Sequence, residues 1–181
     1  DMADVDIAEA VVGTTTFVAD VTKPTISRFD FTLDGGGRIS LPFNEVVRQT
    51  SLTATKLTLR SAASTGSVVH KLTGGTVSAG DGVSFNIDLA VADINDIKSK
   101  SLCSSVTDCF LSTDDAAAAD MAGNTLDAIA AANAIQSSFF SDDVTPVTLS
   151  QFVELDLNLG TLTLSFSEPV DASTITATSL I

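Results

Sequence analysis

The chain has no tryptophan and no tyrosine, one histidine, two cysteines and only nine lysines and arginines in 181 residues. The shortage of basic residues leaves a net charge of -14 and a pI near 4.1. Nucleic acids and anionic membrane surfaces need a basic face, so neither is an expected partner. No apolar run reaches the roughly 18 residues of a membrane-spanning helix, so membrane insertion is not expected. The Ala-rich stretch from Ala116 to Ala134 is broken by Asp120, Gly123, Asn124 and Asp127. A single histidine leaves little for acid–base chemistry. A Ser-His-Asp arrangement needs a histidine that a carboxylate orients, whereas His70 sits in the strand pattern Ser67–Leu72. It is expected on an exposed strand face, and no enzyme activity is expected. Without tryptophan or tyrosine, the chain also lacks the usual aromatic platforms for a sugar-processing groove.

Two cysteines with no Cys-x-x-Cys or histidine neighbour argue against zinc. Cys103 and Cys109 lie in one polar loop with Ser104, Ser105, Thr107 and Asp108 between them. A local disulfide is expected there, with two free thiols as the plain alternative. No Asn-x-Ser/Thr sequon occurs. Serine and threonine are abundant, so O-linked glycans stay open as partners. No secretory leader is recognisable and the first residue is Asp1. The chain is expected to be a processed protein or a piece of a longer one.

What the chain has is aspartate, alternation and repetition. All but four of the 23 acidic residues are Asp, a turn and cap residue more than a helix former. Phe29, Phe31 and Leu33 alternate with polar residues, as do Ile39, Leu41 and Phe43, Leu57 and Leu59, and Val83, Phe85, Ile87 and Leu89. Period two with one apolar face predicts short strands. Asp34–Gly37, Thr73–Gly75 and Gly80–Gly82 supply the turns between them. Val91 to Lys98 breaks the pattern and predicts a short helix, with Asp93 in its first turn and lysines at its end. A strand is expected near Phe110–Ser112, continued weakly by Ala116–Ala119, then a tight turn at Asp120–Asn124 and a last strand over Thr125–Phe140, with a helix as its alternative. The class is all-β, and strands at this spacing suggest a β-sandwich.

The repetition has a period of about 120 residues. Asp1-Met2-Ala3 recurs as Asp120-Met121-Ala122. Leu41-Pro42-Phe43-Asn44-Glu45-Val46-Val47 recurs as Leu164-Ser165-Phe166-Ser167-Glu168-Pro169-Val170, and Ser51–Leu57 as Thr174–Leu180, both at an offset of 123. Such a period means one module copied in tandem. Asp20-Val21-Thr22-Lys23-Pro24 and Asp142-Asp143-Val144-Thr145-Pro146 mark the two junctions. Residues 1–20 are then the terminal strand of a preceding or neighbouring module, 21–143 a complete module, and 144–181 the first strands of another.

These residues carry a family resemblance. The turn Asp120-Met121-Ala122-Gly123-Asn124, Phe139 or Phe140, Asp142 or Asp143, Thr145-Pro146 and the strand Thr161–Val170 together resemble tandem bacterial-type immunoglobulin-like repeats. They are also similar to repeats of large extracellular algal and protist proteins, including flagellar-hair (mastigoneme-like) glycoproteins. The resemblance implies an immunoglobulin-like β-sandwich and an extracellular, non-enzymatic, structural or adhesive role. The first copy departs from it, with Asp4-Val5 where the turn has Gly-Asn.

An incomplete sandwich exposes an open sheet edge. Either the chain is a fragment of a longer repeat protein, or residues 1–20 of one subunit complete residues 144–181 of the next, as in strand addition. The strands concerned would carry Val5, Ile7, Val11 and Phe17 on one side and Leu162, Leu164, Phe166 and Ile175 on the other. The expected partners are then copies of itself in a filament. The other reading is a modular adhesin displaying the cysteine-closed loop 101–110 to a glycan or cell surface. No cofactor is required. Calcium is the functional reading of Asp120, Asn124, Asp142 and Asp143, since hard cations take such oxygen ligands. Solvated turn carboxylates are the plain one.

Overall fold

The computed structural model describes residues 18–176. Val5, Ile7, Val11 and Phe17 lie outside the described residues. In chain order the elements are β1 (Phe29–Thr32), β2 (Arg38–Val47), β3 (Leu57–Arg60), β4 (Val69–Lys71), β5 (Thr76–Val77), β6 (Gly82–Asp88), α1 (Val91–Ser99), β7 (Phe110–Thr113), β8 (Ile135–Ser141), β9 (Leu149–Asp156) and β10 (Thr161–Phe166). The first eight strands form one curled mixed sheet in the order β4-β3-β7-β8-β1-β2-β6-β5. All its pairings are antiparallel except β1 with β8, which is parallel.

The curl follows from β8. Its first residues, Ile135 and Gln136, pair with Leu111 and Phe110 of β7, while Ser137 and Phe139 to Ser141 pair with β1. The strand therefore serves two halves of the sheet, and their apolar faces close on one core. Phe29, Phe31, Ile39, Leu41, Phe85 and Ile87 from one half meet Leu57, Leu59 and Leu111 from the other, all essentially without exposure. Burying each such side chain contributes about 1.5–3 kcal/mol before the entropy of ordering is set against it.

The expected helix forms as α1 and presses Ile94 and Ile97 into that core. It crosses over the β1–β2 turn at Gly37, whose φ is 73°. A Cβ there would stand 2.9 Å from Ile94 Cγ1. That position needs glycine for its backbone and for the close approach alike.

Two expectations need correction. The last strand does not run from Thr125 to Phe140. Thr125 makes one isolated bridge to Ala119, Ala131–Asn133 form a 3-10 turn, and only Ile135–Ser141 is continuous strand. Alanine offers too little side chain to define a face, so the Ala-rich half has no pattern to hold a strand. His70 is in β4 as expected, but it is buried rather than exposed.

Strands β9 and β10 stand apart from the sheet as a hairpin, and each pairs only with the other among the described residues.

Candidate functional site

No helix among the described residues is long and apolar enough to cross a membrane. The features that could carry function are four: the disulfide loop, a buried histidine, the two ends of the module, and the hairpin.

Cys103 and Cys109 are disulfide-bonded, as expected. The sulfurs are buried while Ser104 and Thr107 face outward. Asp108 holds the loop from inside. Its carboxylate accepts hydrogen bonds from the backbone N–H and hydroxyl groups of both Ser104 and Ser105. Burial pushes this carboxyl up, but the serine hydrogen bonds outweigh burial and leave it below its ordinary value.

His70 is held between two carboxylates of α1. Its Nε2 lies 2.9 Å from Asp93 Oδ1 and its Nδ1 2.6 Å from Asp96 Oδ2. Asp93 is fully buried and also accepts from the Thr73 backbone N–H and hydroxyl. Both ring nitrogens can donate at once only in the imidazolium form. Neither is left over to serve a nucleophile. This cluster joins β4 to the helix and was not anticipated. Its one sequence signal was the three-residue spacing of Asp93 and Asp96 on a single helix face.

At the entry end of the module, Asp120 caps its own turn as expected. Its carboxylate accepts from the backbone N–H of Gly123 and Asn124 and from Asn124 Nδ2. Burial raises this carboxyl and those hydrogen bonds more than reverse the effect, so it sits below its ordinary value. Asn124 also donates to the backbone oxygen of Asp20 at 3.2 Å. The result is a cluster that sequence reasoning missed: carboxylate oxygens of Asp20, Glu45 and Asp120 lie within 4.8 Å of one another. Burial, Asp20 and Asp120 together raise the Glu45 carboxyl above its ordinary value. Three oxygen donors so placed could take a hard cation or a basic side chain.

At the exit end, Asp143 does not join Asp120 and Asn124. Its carboxylate pairs with Lys98, which also reaches Glu168 at 2.6 Å. The lysine hydrogen bond is the main cause that holds the Asp143 carboxyl below its usual range. Asp142 is exposed and accepts the backbone N–H of Asp143. The four expected calcium ligands thus fall into two groups with different partners.

No family model, curated protein or solved structure matches the chain. The chain carries its own comparison in the hairpin. In β1–β2, Phe31 pairs with Ile39 and Thr32 with Arg38. In β9–β10, Leu155 pairs with Leu162 and Asp156 with Thr161. Leu162 and Thr161 stand 123 positions after Ile39 and Arg38, so the hairpin repeats β1–β2 in the same register. The turn is one residue shorter, and a register shift at Thr163/Leu164 leaves Val153 as one extra residue in β9.

The two hairpins differ in what covers them. Phe29, Phe31 and Ile39 are 0% exposed, and Leu33 is 7% exposed. Their counterparts Phe152, Leu155, Leu162 and Leu157 are 58%, 54%, 42% and 83% exposed. Leu164 and Phe166 are half-buried, and Ile175 is 43% exposed beyond a 3-10 turn that Asp171 caps.

Proposed function

We propose that this chain is a structural part of an extracellular fibre or surface appendage, built from immunoglobulin-like modules strung in tandem. The observation that carries the proposal is the hairpin that repeats β1–β2 in register while its core-facing side chains lie open. A second module-opening element that follows the first module in the same chain is what a tandem array requires. Modules strung in tandem meet exit pole to entry pole, through unlike faces, and such an array extends instead of closing.

The strand order supports the immunoglobulin-like reading. Taking β1 as strand A, the run β1-β2-β6-β5 follows the A-B-E-D order of such sandwiches, and β3-β7-β8 follows C-F-G. Strand β4 then extends the second sheet, and β8 against β1 joins the two. The disulfide fits an oxidising compartment. A strongly acidic surface, with O-linked glycans on its many hydroxyls, would keep neighbouring filaments from bundling.

Negative-stain electron microscopy of undenatured material is the test. Regular filaments with an axial repeat near one module length are the expected result. Dispersed single particles would overturn the fibre reading.

The disulfide loop favours a second reading, a modular adhesin or binding stalk. Its tip is exposed while its base is fixed by Cys103–Cys109 and Asp108. Single particles that bind a glycan or cell surface through residues 104–107 would establish that reading.

A further inference from the structure

We propose that Asp20 and Glu45 receive the ammonium of a lysine at the helix end of a preceding module of the same kind, as Asp143 and Glu168 receive Lys98. The proposal rests on the tandem-module reading and names the contact that fixes each module to the one before it.

The clasp at the exit end supplies the pattern. Lys98 stands in the last turn of α1, and its Nζ donates to the carboxylates of both Asp143 and Glu168. All three side chains are largely buried, so water screens the charges little. The helix end of one module thereby grips the start of the next.

The entry end carries the same receptor. The Thr22 backbone N–H donates to Asp20 Oδ1 at 2.9 Å, and the Thr145 N–H donates to Asp143 Oδ1 at 2.9 Å. The Thr25 N–H donates to Asn44 Oδ1, and the Asn44 N–H donates back to the Thr25 oxygen. Thr148 and Ser167 repeat this exchange, with the serine hydroxyl oxygen in place of the amide oxygen. In every comparison the second residue stands 123 positions after the first, as Glu168 stands after Glu45. One backbone frame thus holds the two carboxylates in both places.

An acidic cluster by itself names no ligand, but this one has a copy with its ligand bound. Asp20 and Glu45, joined by the buried Asp120, bring carboxylate oxygens within 4.8 Å of one another. Among the described residues none of the three forms an ion pair. Residues 1–17 and 177–181 contain no lysine, arginine or histidine. Burial and the acidic neighbours raise the Glu45 carboxyl, whereas Lys98 holds the Asp143 carboxyl low. Because β1 and β8 run parallel, the chain enters the module at one pole and leaves at the other. Lys98 sits at the exit pole and already serves the hairpin there. The entry pole therefore meets the helix end of a different module.

The test is a tandem chain in which residues 1–142 run directly into residues 20–181, which keeps the 123-residue spacing of the repeat. The readout is thermolysin cleavage at Val21 of the trailing copy, in the presence of a chelator. Cleavage within 142–147 of the trailing copy is the internal standard, because its own Lys98 is untouched. Lys98→Ala in the leading copy alone should speed cleavage at Val21 about tenfold, as a partly buried ion pair that holds a local opening shut is lost. Glu45→Gln in the trailing copy should also speed it. The two together should fall short of the product of the single effects, because they remove one shared contact. Lys98→Arg in the leading copy should keep cleavage slow, which a folding defect would not allow. No effect of either change, or effects that multiply, would overturn this inference, and native filaments seen beside them would leave the fibre reading standing. Coupled effects in a chain whose native form stays dispersed would uphold the contact and overturn the fibre reading alone. Calcium that slows cleavage equally with and without the leading Lys98 would overturn the inference, by showing that the site takes a metal ion.

Discussion

Asp93, fully buried in α1, takes a hydrogen bond from His70 Nε2 at 2.9 Å and two more from Thr73. Asp93→Ala strips three donors of their acceptor inside the fold. The expected loss is roughly 2–4 kcal/mol of unfolding free energy. Urea melts of the wild type and variant at neutral pH measure it. A loss below half a kcal/mol would mean that water replaces the carboxylate without penalty.

Glu45 and Glu168 occupy the same place in two copies of the repeat, yet only Glu168 has a lysine. Glu45 faces Asp20 and Asp120 instead, and its carboxyl is raised. A raised carboxyl favours the protonated form on folding, so its contribution is present below the unfolded value and lost as pH rises through the folded one. Glu45→Gln should therefore raise the melting temperature at pH 7 without divalent cations, and the gain should vanish below about pH 4. If the three carboxylates hold calcium, calcium will raise the wild-type melting temperature and have a smaller effect on the variant.

Removing the disulfide with Cys103→Ala and Cys109→Ala should cost about 2 kcal/mol, the loop-closure entropy of so short a ring. The loop should keep its shape, because Asp108 still binds Ser104 and Ser105. Amide exchange at those serines is the readout. Their loss of protection would show that the disulfide alone orders the loop.

Asp108 also sets a limit at acid pH. Its folded value lies below its unfolded one, so its stabilisation is present above the unfolded value and lost as pH falls through the folded one. Below about pH 4 the wild type should lose stability more steeply than Asp108→Asn, which has no carboxylate there to protonate. Thermal melts between neutral and acid pH compare the two slopes.

Lys98 joins the module to the hairpin that follows. Lys98→Ala leaves Asp143 and Glu168, both largely buried, facing each other without a cation. A cost of about 1–2 kcal/mol is expected for an ion pair of intermediate burial. Proteolysis between Asp142 and Val147 should quicken in the variant. Unchanged cleavage would mean that the lysine does not fasten the junction.

The strands of the module were readable wherever large apolar residues alternate, as in Phe29–Leu33 and Ile39–Phe43, because a half-buried strand imposes period two. The helix was readable from the break in that period. Thr125–Ala134 was misread because alanine fits any face. His70 was misread because its partners come 23 and 26 residues later, on an element whose docking no local pattern reveals. The Asp20–Glu45–Asp120 cluster draws on three distant segments and was invisible for the same reason. The Cys103–Cys109 bond was legible because its closure is local. The repeat located the hairpin, but only the structure showed that it copies β1–β2 in register.

The parallel pairing of β1 with β8 has a mechanical consequence. The first and last strands of the sheet-forming unit lie side by side and point the same way, so tension applied between its two ends pulls them past each other lengthwise. Their hydrogen bonds are loaded together, in shear, and cannot be peeled open one at a time. The rate of forced unfolding is then governed by breaking the whole pair. The joint that makes the sheet continuous is also the one that takes the strain.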